Sequence, residues 1–200
     1  MVQLAQPIAS PRLELRRFAL DDLDELTLIY EREDVNRYLY FEQRDRATTL
    51  ELLRGRLARP EMTSDVEENV LCVAITQRED RRLVGDFMLR WTPNEHQQGE
   101  MGGSLHPDVH GRGYAGEIYR ELLSLAFNVY GLHRVVGRCD ARNSASIRSL
   151  EKVGLHREAH LVENEFVKGE WTSEIVMAIR RSEWATHHGV APRERGEGNA

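Results

Sequence analysis

Cysteine is nearly missing from this chain, with two in 200 residues. That excludes a disulfide framework and any cysteine-rich zinc site. Cys72 and Cys139 lie in the apolar, strand-like runs VLCVAI and VVGRCD, so both are expected as buried free thiols in a cytoplasmic protein. A basic excess is missing too. Lys and Arg total 27 against 33 Asp and Glu, a formal charge of −6. This balance excludes a nucleic-acid coat or an anionic-membrane binder and leaves room for cationic partners. No apolar run approaches the roughly 20 residues of a membrane span. The opening MVQLAQPIASPRLELRR lacks the basic-then-apolar order of a secretory signal. The eight histidines form no H-E-x-x-H and no spaced Cys/His set, so no metal site is expected. What is present suffices for a core: 40% hydrophobic and 30% charged residues is the balance of a folded domain, not of a disordered chain.

Residues 1–10 read as a flexible lead-in, 11–184 as one domain, and the polar, Gly-rich stretch 185–200 as a disordered tail. Leu13, Leu15 and Phe18 suggest a strand. Asp21 then caps a helix with the stripe Leu23, Leu26, Ile29. A second helix covers Ala47–Ala58, with Pro60 beyond it. VLCVAIT (70–76), LVGDFMLRW (83–91) and Glu100–His106 read as a three-strand meander. Its third strand carries Gly102 and Gly103, a mark of a bulge or of close backbone approach by something else. The period then changes. Ile118, Leu122, Leu125 and Val129 recur at helical spacing over Tyr114–Tyr130, and Gly131 ends the helix. A strand (His133–Asp140), a helix (Ser144–Val153) and two closing strands (Leu155–Val162 and Trp171–Arg180) around the turn VKGE complete the order. Trp91, Trp171 and Trp184 are expected to pack the sheet. The fold class is α/β, a single domain with a mixed, mostly antiparallel central sheet of about seven strands and about four helices.

The most chemical stretch is His106-Pro-Asp-Val-His-Gly-Arg-Gly-Tyr-Ala-Gly-Glu117, between a strand and a helix. Glycines at 111 and 113 allow backbone N–H groups to turn toward a ligand, and the helix N-terminus beyond them is partially positive. Together they suit a pyrophosphate, with Arg112 as a charged donor. Gly111-Arg-Gly-Tyr-Ala-Gly116 also matches the dinucleotide pattern G-x-G-x-x-G, with Asp140 where a ribose-binding acid would stand. A dinucleotide loop follows its strand almost directly and opens its fold, whereas here Pro107–His110 intervene and a meander comes first.

Three blocks in order carry a family likeness. Glu100-Met-Gly-Gly-Ser-Leu-His-Pro-Asp-Val-His-Gly-Arg-Gly-Tyr-Ala-Gly-Glu117 is the first. Asn143-Ser-Ala-Ser-Ile-Arg-Ser-Leu-Glu-Lys-Val-Gly-Leu155 is the second, and Lys168-Gly-Glu-Trp…Arg181-Ser-Glu-Trp184 the third. With these, the chain resembles the GNAT superfamily of acyl-CoA-dependent N-acetyltransferases over about Arg12–Trp184. It is most similar to the ribosomal-protein N-terminal acetyltransferase subgroup. The family's pyrophosphate pattern (Q/R)-x-x-G-x-(G/A) falls on His110, Gly113 and Ala115, with histidine in the first place. The resemblance implies a GNAT-like sheet and acetyl-CoA as co-substrate, held by His110, Gly111, Arg112, Gly113, Tyr114 and Ala115. It implies a splayed meander strand that pairs with the pantetheine arm, backbone oxyanion donors near Leu105, and room for a homodimer.

Acetyl transfer to an amine needs a neutral nitrogen, a polarised thioester carbonyl and a stabilised thiolate. Glu100 is the candidate base, directly or through water, or else a solvated strand carboxylate. The family's thiol-protonating Tyr position is Leu150 here, so Ser146 is the substitute candidate acid, or a first-turn residue bonding backbone. Asn143 is a candidate for the cofactor arm or a helix cap, and Glu117 reads as support for its helix's first turn. The expected acceptor is a primary amine, a protein N-terminus or a small cationic molecule, toward which Glu95 and the acidic stretch Glu61–Glu68 lean. Two alternatives stand beside this reading: a non-catalytic acyl-CoA-binding sensor, and an NAD-dependent oxidoreductase using Gly111–Gly116.

Overall fold

A computed structural model describes Leu4 and residues 6–58, 69–92 and 94–188. Its strands are β1 (Ile8–Ala9), β2 (Leu13–Arg16), β3 (Asn69–Gln77), β4 (Leu83–Trp91), β5 (Gln98–Leu105), β6 (Arg134–Asp140), β7 (His156–Val167) and β8 (Glu170–Arg180). Its helices are α1 (Leu23–Tyr30), α2 (Glu33–Asn36), α3 (Arg46–Leu57), α4 (Tyr114–Ser124), α5 (Ser144–Glu151) and α6 (Arg181–His188). The strands form one sheet in the order β1-β2-β3-β4-β5-β6-β8-β7. Every pair is antiparallel except β5 with β6. This overturns the dinucleotide-fold alternative, which needs a sheet built of parallel βα units.

Period-two alternation explains the layering. In β3, Leu71, Val73 and Ile75 point to a core shared with Ile118 and Leu122 of α4 and Ile147 and Leu150 of α5. Ala74 faces the opposite way, into a second cluster with Leu26 and Ile29 of α1 and Leu53 of α3. The sheet is thus covered on both faces, and α4 is the crossover that lets β5 and β6 lie parallel. Asp45 starts α3 by accepting the Thr48 N–H at 2.8 Å. The α4 segment ends in a π turn at Leu125–Val129, with the Tyr130 N–H on the Leu125 carbonyl and Gly131 at φ +66° beyond. Lys168 and Gly169, both at positive φ, make the tight turn between β7 and β8.

Several boundaries differ from expectation. Among the described residues the sheet has eight strands, because Ile8 and Ala9, inside the expected lead-in, pair with Leu15 and Glu14. The α6 helix runs past 185 to His188, with Trp184 and Ala185 buried. Asp21 does not cap α1. Asp22 is the buried carboxylate there, accepting the Ala19 N–H and the Arg16 guanidinium. Trp91 and Trp184 are core residues, but Trp171 is 61% exposed and meets Phe166 edge-on. Pro60 and the acidic stretch Glu61–Glu68 lie outside the described residues.

Candidate active site

The site begins where two strands part. β5 and β6 are in register through Gln98↔Arg134, Gly99↔Val135 and Glu100↔Val136, and no further. Beyond Glu100, β5 follows β4 to the pair Gly85↔Leu105, while β6 follows β8 to Asp140↔Glu174. The β5 edge past Glu100 is therefore open to an extended ligand, as an unpaired strand edge always is. The two glycines there have different work. Among the described residues, a Cβ on Gly102 would meet nothing within 4 Å, whereas one on Gly103 would sit 2.4 Å from Phe87 and from the Asp86 carbonyl. Only Gly102 faces open space; Gly103 lets β4 and β5 approach. On the other arm, Gly137 lies under the Leu150 methyls, at 2.9 Å from a Cβ, so α5 presses directly on β6.

A cavity of about 720 Å³ fills the opening. Glu100 to Ser104 line it from β5, Arg138 and Cys139 from β6, and Ser146 and Leu150 from α5 with Asn143 just before it. Its far wall is aromatic, with Tyr30, Tyr38, Tyr40 and Phe41. Glu100 stands at the crotch of the splay. Its Oε2 is 3.0 Å from Arg90 and 3.4 Å from Arg138, so it is an ion-paired carboxylate and not a freely solvated one. Asn143 caps α5, its Oδ1 accepting the Ser146 N–H at 3.1 Å. That is the helix-cap reading of Asn143. The Ser146 hydroxyl has no hydrogen-bond partner among the described residues, and it borders the cavity. Leu150, at the family's tyrosine place, is a buried core residue. Cys139 is buried as expected, its thiol pushed up to about 11 by burial, then by Glu174 and Asp140. Cys72, expected buried, is only half-buried and also borders the cavity.

Two polar clusters in this cavity were not foreseen. Glu174, 4% exposed, accepts from Arg138 at 2.8 Å and from the Tyr40 hydroxyl at 3.2 Å. Asp86, 5% exposed, takes the Tyr30 hydroxyl and Arg56 Nη2 at 2.7 Å. Burial and then the Asp86 charge raise the Tyr30 phenol well above its ordinary range, so it stays a donor. Burial opposes the Arg56 charge, but Asp86 outweighs it. The readable signal for both was a carboxylate inside an apolar strand run, LVGDFMLRW and TSEIVMAI. Asp86→Ala removes the one carboxylate that, among the described residues, is bonded to the Arg56 side chain, itself 13% exposed. The loss should be about 3–5 kcal/mol of unfolding free energy in a urea titration, the usual cost of stranding a buried charge.

At the other end of the β5 edge lies the glycine loop. His106 caps a turn at Pro107–Val109. The His110 ring nitrogen Nε2 then meets the Leu105 carbonyl at 3.0 Å and folds the loop back on the end of β5. Gly111 and Gly113 hold φ of +75° and +79°. Gly113 starts α4 with no side-chain cap among the described residues, so the helix's first amides are left to a ligand or water. Gly111, Arg112 and Gly113 are exposed, whereas Tyr114 is buried with its hydroxyl on Gln77 at 3.2 Å. Glu117, also buried, accepts from Ser10 at 2.6 Å and from Arg12 at 2.7–2.8 Å. Burial alone would raise its carboxyl, but Ser10 and Arg12 prevail and hold it below the ordinary range. The loop and the cavity do not share residues; Ser104 and Leu105 join them along β5. Uncapped amides, two left-handed glycines and an open strand edge fit a pyrophosphate with an extended arm.

Two residues that the sequence singles out stand apart. Glu95 is exposed in the β4–β5 connection and does not line the cavity. Asp140, the would-be ribose acid, is closed by a bidentate Arg142. Among the described residues, no three His, Cys, Asp or Glu side chains gather as metal ligands, and no helix is long and apolar enough to cross a membrane.

Comparison with known proteins gives consistent matches. The family model described as an acetyltransferase (GNAT) domain matches residues 12–156. The uncharacterized N-acetyltransferase YnaD of Bacillus subtilis (strain 168) is 30% identical over 107 residues, covering 54% of this chain and 62% of that protein. The match thus spans less than two thirds of that relative. Among solved structures, an acetyltransferase (GNAT family) from Bacillus anthracis superimposes with a TM-score of 0.76 at 22% identity, covering 89% of this chain and 100% of that one. The spermidine N-acetyltransferase from Vibrio cholerae, solved in complex with CoA and spermine, gives 0.72 at 21% identity, covering 88% and 99%. At these identities the two structures share the fold.

Proposed function

Because the chain belongs to the GNAT acetyltransferase family, we propose that it moves the acetyl group of acetyl-CoA directly onto a primary amine held in the cavity at the strand splay. The observation that carries this reading is the divergence of β5 from β6 immediately after Glu100↔Val136, which makes one open edge run from the glycine loop to the cavity. Bound there, acetyl-CoA supplies an activated thioester. Our reading gives its pyrophosphate to the backbone of His110, Gly111, Arg112, Gly113, Tyr114 and Ala115 and its arm to the β5 edge. Leu105 backbone is the candidate oxyanion donor. Tyr114 contributes its amide only, since its ring is in the core. Glu100 takes the proton from the incoming amine, directly or through water, and the Ser146 hydroxyl is the candidate donor to the leaving sulfur. Asn143 serves through α5, which it caps, holding Ser146 at the cavity.

The acceptor is a protein N-terminus or a small cationic amine; the relative solved with spermine supports an amine of the second kind. Charge alone is a poor guide, since Asp86, Glu100 and Glu174 are each already paired with arginine. A thiol-release assay with acetyl-CoA over a panel of polyamines, aryl-alkyl amines and N-terminal peptides tests the reading. Release that depends on both acetyl-CoA and one class of amine is expected. Calorimetric CoA binding without turnover on any amine would instead favour the sensor, to which Leu150 in the tyrosine place lends its support.

A further inference from the structure

We propose that Arg12 is a positioning residue for the cofactor loop, acting by fixing the peptide between Arg112 and Gly113; this rests on the reading of residues 110–115 as the pyrophosphate anchor. Arg12 Nη1 donates to the Arg112 carbonyl at 2.8 Å. A trans peptide is planar, with its N–H opposite its C=O. Drawing the Arg112 carbonyl toward Arg12 therefore turns the Gly113 N–H the other way, off the far side of the loop. Gly113 at φ +79° lets the chain enter α4 in that orientation.

Arg12 is itself held. Its backbone N–H and its Nε and Nη2 all reach the buried Glu117 carboxylate at 2.7–2.8 Å. Its guanidinium lies 4.7 Å from the centre of the Tyr114 ring. One side chain from the residue just before β2 thus braces positions 112, 114 and 117, about one hundred residues later in the chain. Glu117 also takes the Ser10 hydroxyl, which pins the same N-terminal segment. The planar fork explains the residue type. Only a guanidinium serves a carboxylate with two nitrogens and a carbonyl with the third.

Arg12→Lys is the decisive variant, since its single nitrogen keeps the charge beside Glu117 but does not spread over the carboxylate and the Arg112 carbonyl as the separate nitrogens of the guanidinium do. Steady-state kinetics should show the KM for acetyl-CoA rising about tenfold, the usual scale for one hydrogen bond to a charged group. The kcat and the KM for the amine should stay within about twofold of the parent, because the cavity is untouched. In Arg12→Ala, added ethylguanidinium should recover part of the acetyl-CoA KM, which a general loosening of the fold would not allow. Unchanged acetyl-CoA KM in Arg12→Lys overturns the proposal, as does a parallel loss of kcat and amine KM. If Arg12→Ala fails to fold, the lysine variant alone decides. Calorimetry of the parent with CoA separates the two levels. No binding there overturns the anchor reading and the latch with it, whereas parent binding that persists undiminished in Arg12→Lys overturns the latch alone.

Discussion

Glu100→Gln should lower kcat by about 10²- to 10⁴-fold, the range of a lost general base, and leave calorimetric acetyl-CoA affinity within about twofold. The side chain stands at the last paired residue before β5 and β6 separate, at the inner end of the open edge. Its position is therefore the natural one for a group that meets the amine beside the thioester. Two guanidinia complicate the interpretation. Arg90 and Arg138 both reach Oε2, so Glu100 is also an electrostatic strut. The amide keeps the shape but loses the charge, and Arg138 keeps its second carboxylate, Glu174. A strut alone predicts a lower urea midpoint with kcat nearly unchanged. A base predicts the reverse, together with a changed pH–rate profile. Glu100→Asp divides the cases further: it withdraws the carboxylate by one methylene but keeps the negative charge beside Arg90 and Arg138, so a base loses much of its rate while most of the electrostatic attraction is kept. A Gln variant with parental kcat and an unchanged pH–rate profile removes Glu100 as the base.

The residues that the sequence made legible share one property: their local pattern carried the information. Near-continuous apolar runs, VLCVAIT and LVGDFMLRW, marked β3 and β4, because both faces of the sheet are covered and each strand must satisfy both. The helical spacing of Ile118 and Leu122 marked α4, and the glycines before it marked a left-handed entry that the observed φ values require. Short elements escaped. The α2 segment, Glu33–Asn36, is too brief to show a period, and β1 is a two-residue pairing set by Leu15 and Glu14. The candidate site divides the same way. Loop residues 110–115 and Glu100 lie in one continuous block with a strand–turn–helix pattern. The Tyr30–Asp86–Arg56 cluster does not: its members lie 56 and 30 positions apart, and only folding brings them together. Periodicity says which way a side chain points and never which distant partner it will find. Asp86 and Glu174 were visible as anomalies, acids in apolar strands, but their arginines were not. Asn143 shows the opposite outcome, since a local rule, the helix cap, accounts for its observed bond fully.

Gly113→Val should weaken acetyl-CoA binding by about a hundredfold or more while the thermal midpoint moves by only a few degrees. Two physical effects combine. The observed φ of +79° costs a branched residue about 1–2 kcal/mol or more, so the loop will tend to leave this conformation. Any retreat withdraws amides from an anion they would meet as charge-assisted donors, each worth about 1.5–3 kcal/mol. Gly113→Ala separates conformation from bulk. Its Cβ would lie 3.7 Å from Arg12 Nη2, an ordinary contact, so there is room for it and the penalty is in φ alone. Affinity should then fall in the order Gly, Ala, Val if both conformation and approach matter. Equal losses in Ala and Val would assign the whole effect to the backbone turn. Gly102 is the matching control on the arm, because a Cβ there meets open space at φ values any residue adopts. Gly102→Ala should keep the pyrophosphate anchor intact and impair only what passes along the open edge of β5. It should therefore spare the affinity for a CoA fragment that ends at the pyrophosphate and reduce the affinity for the whole molecule. Undiminished acetyl-CoA affinity in Gly113→Val would mean that the donor binds elsewhere on the fold and that the uncapped start of α4 is only a turn.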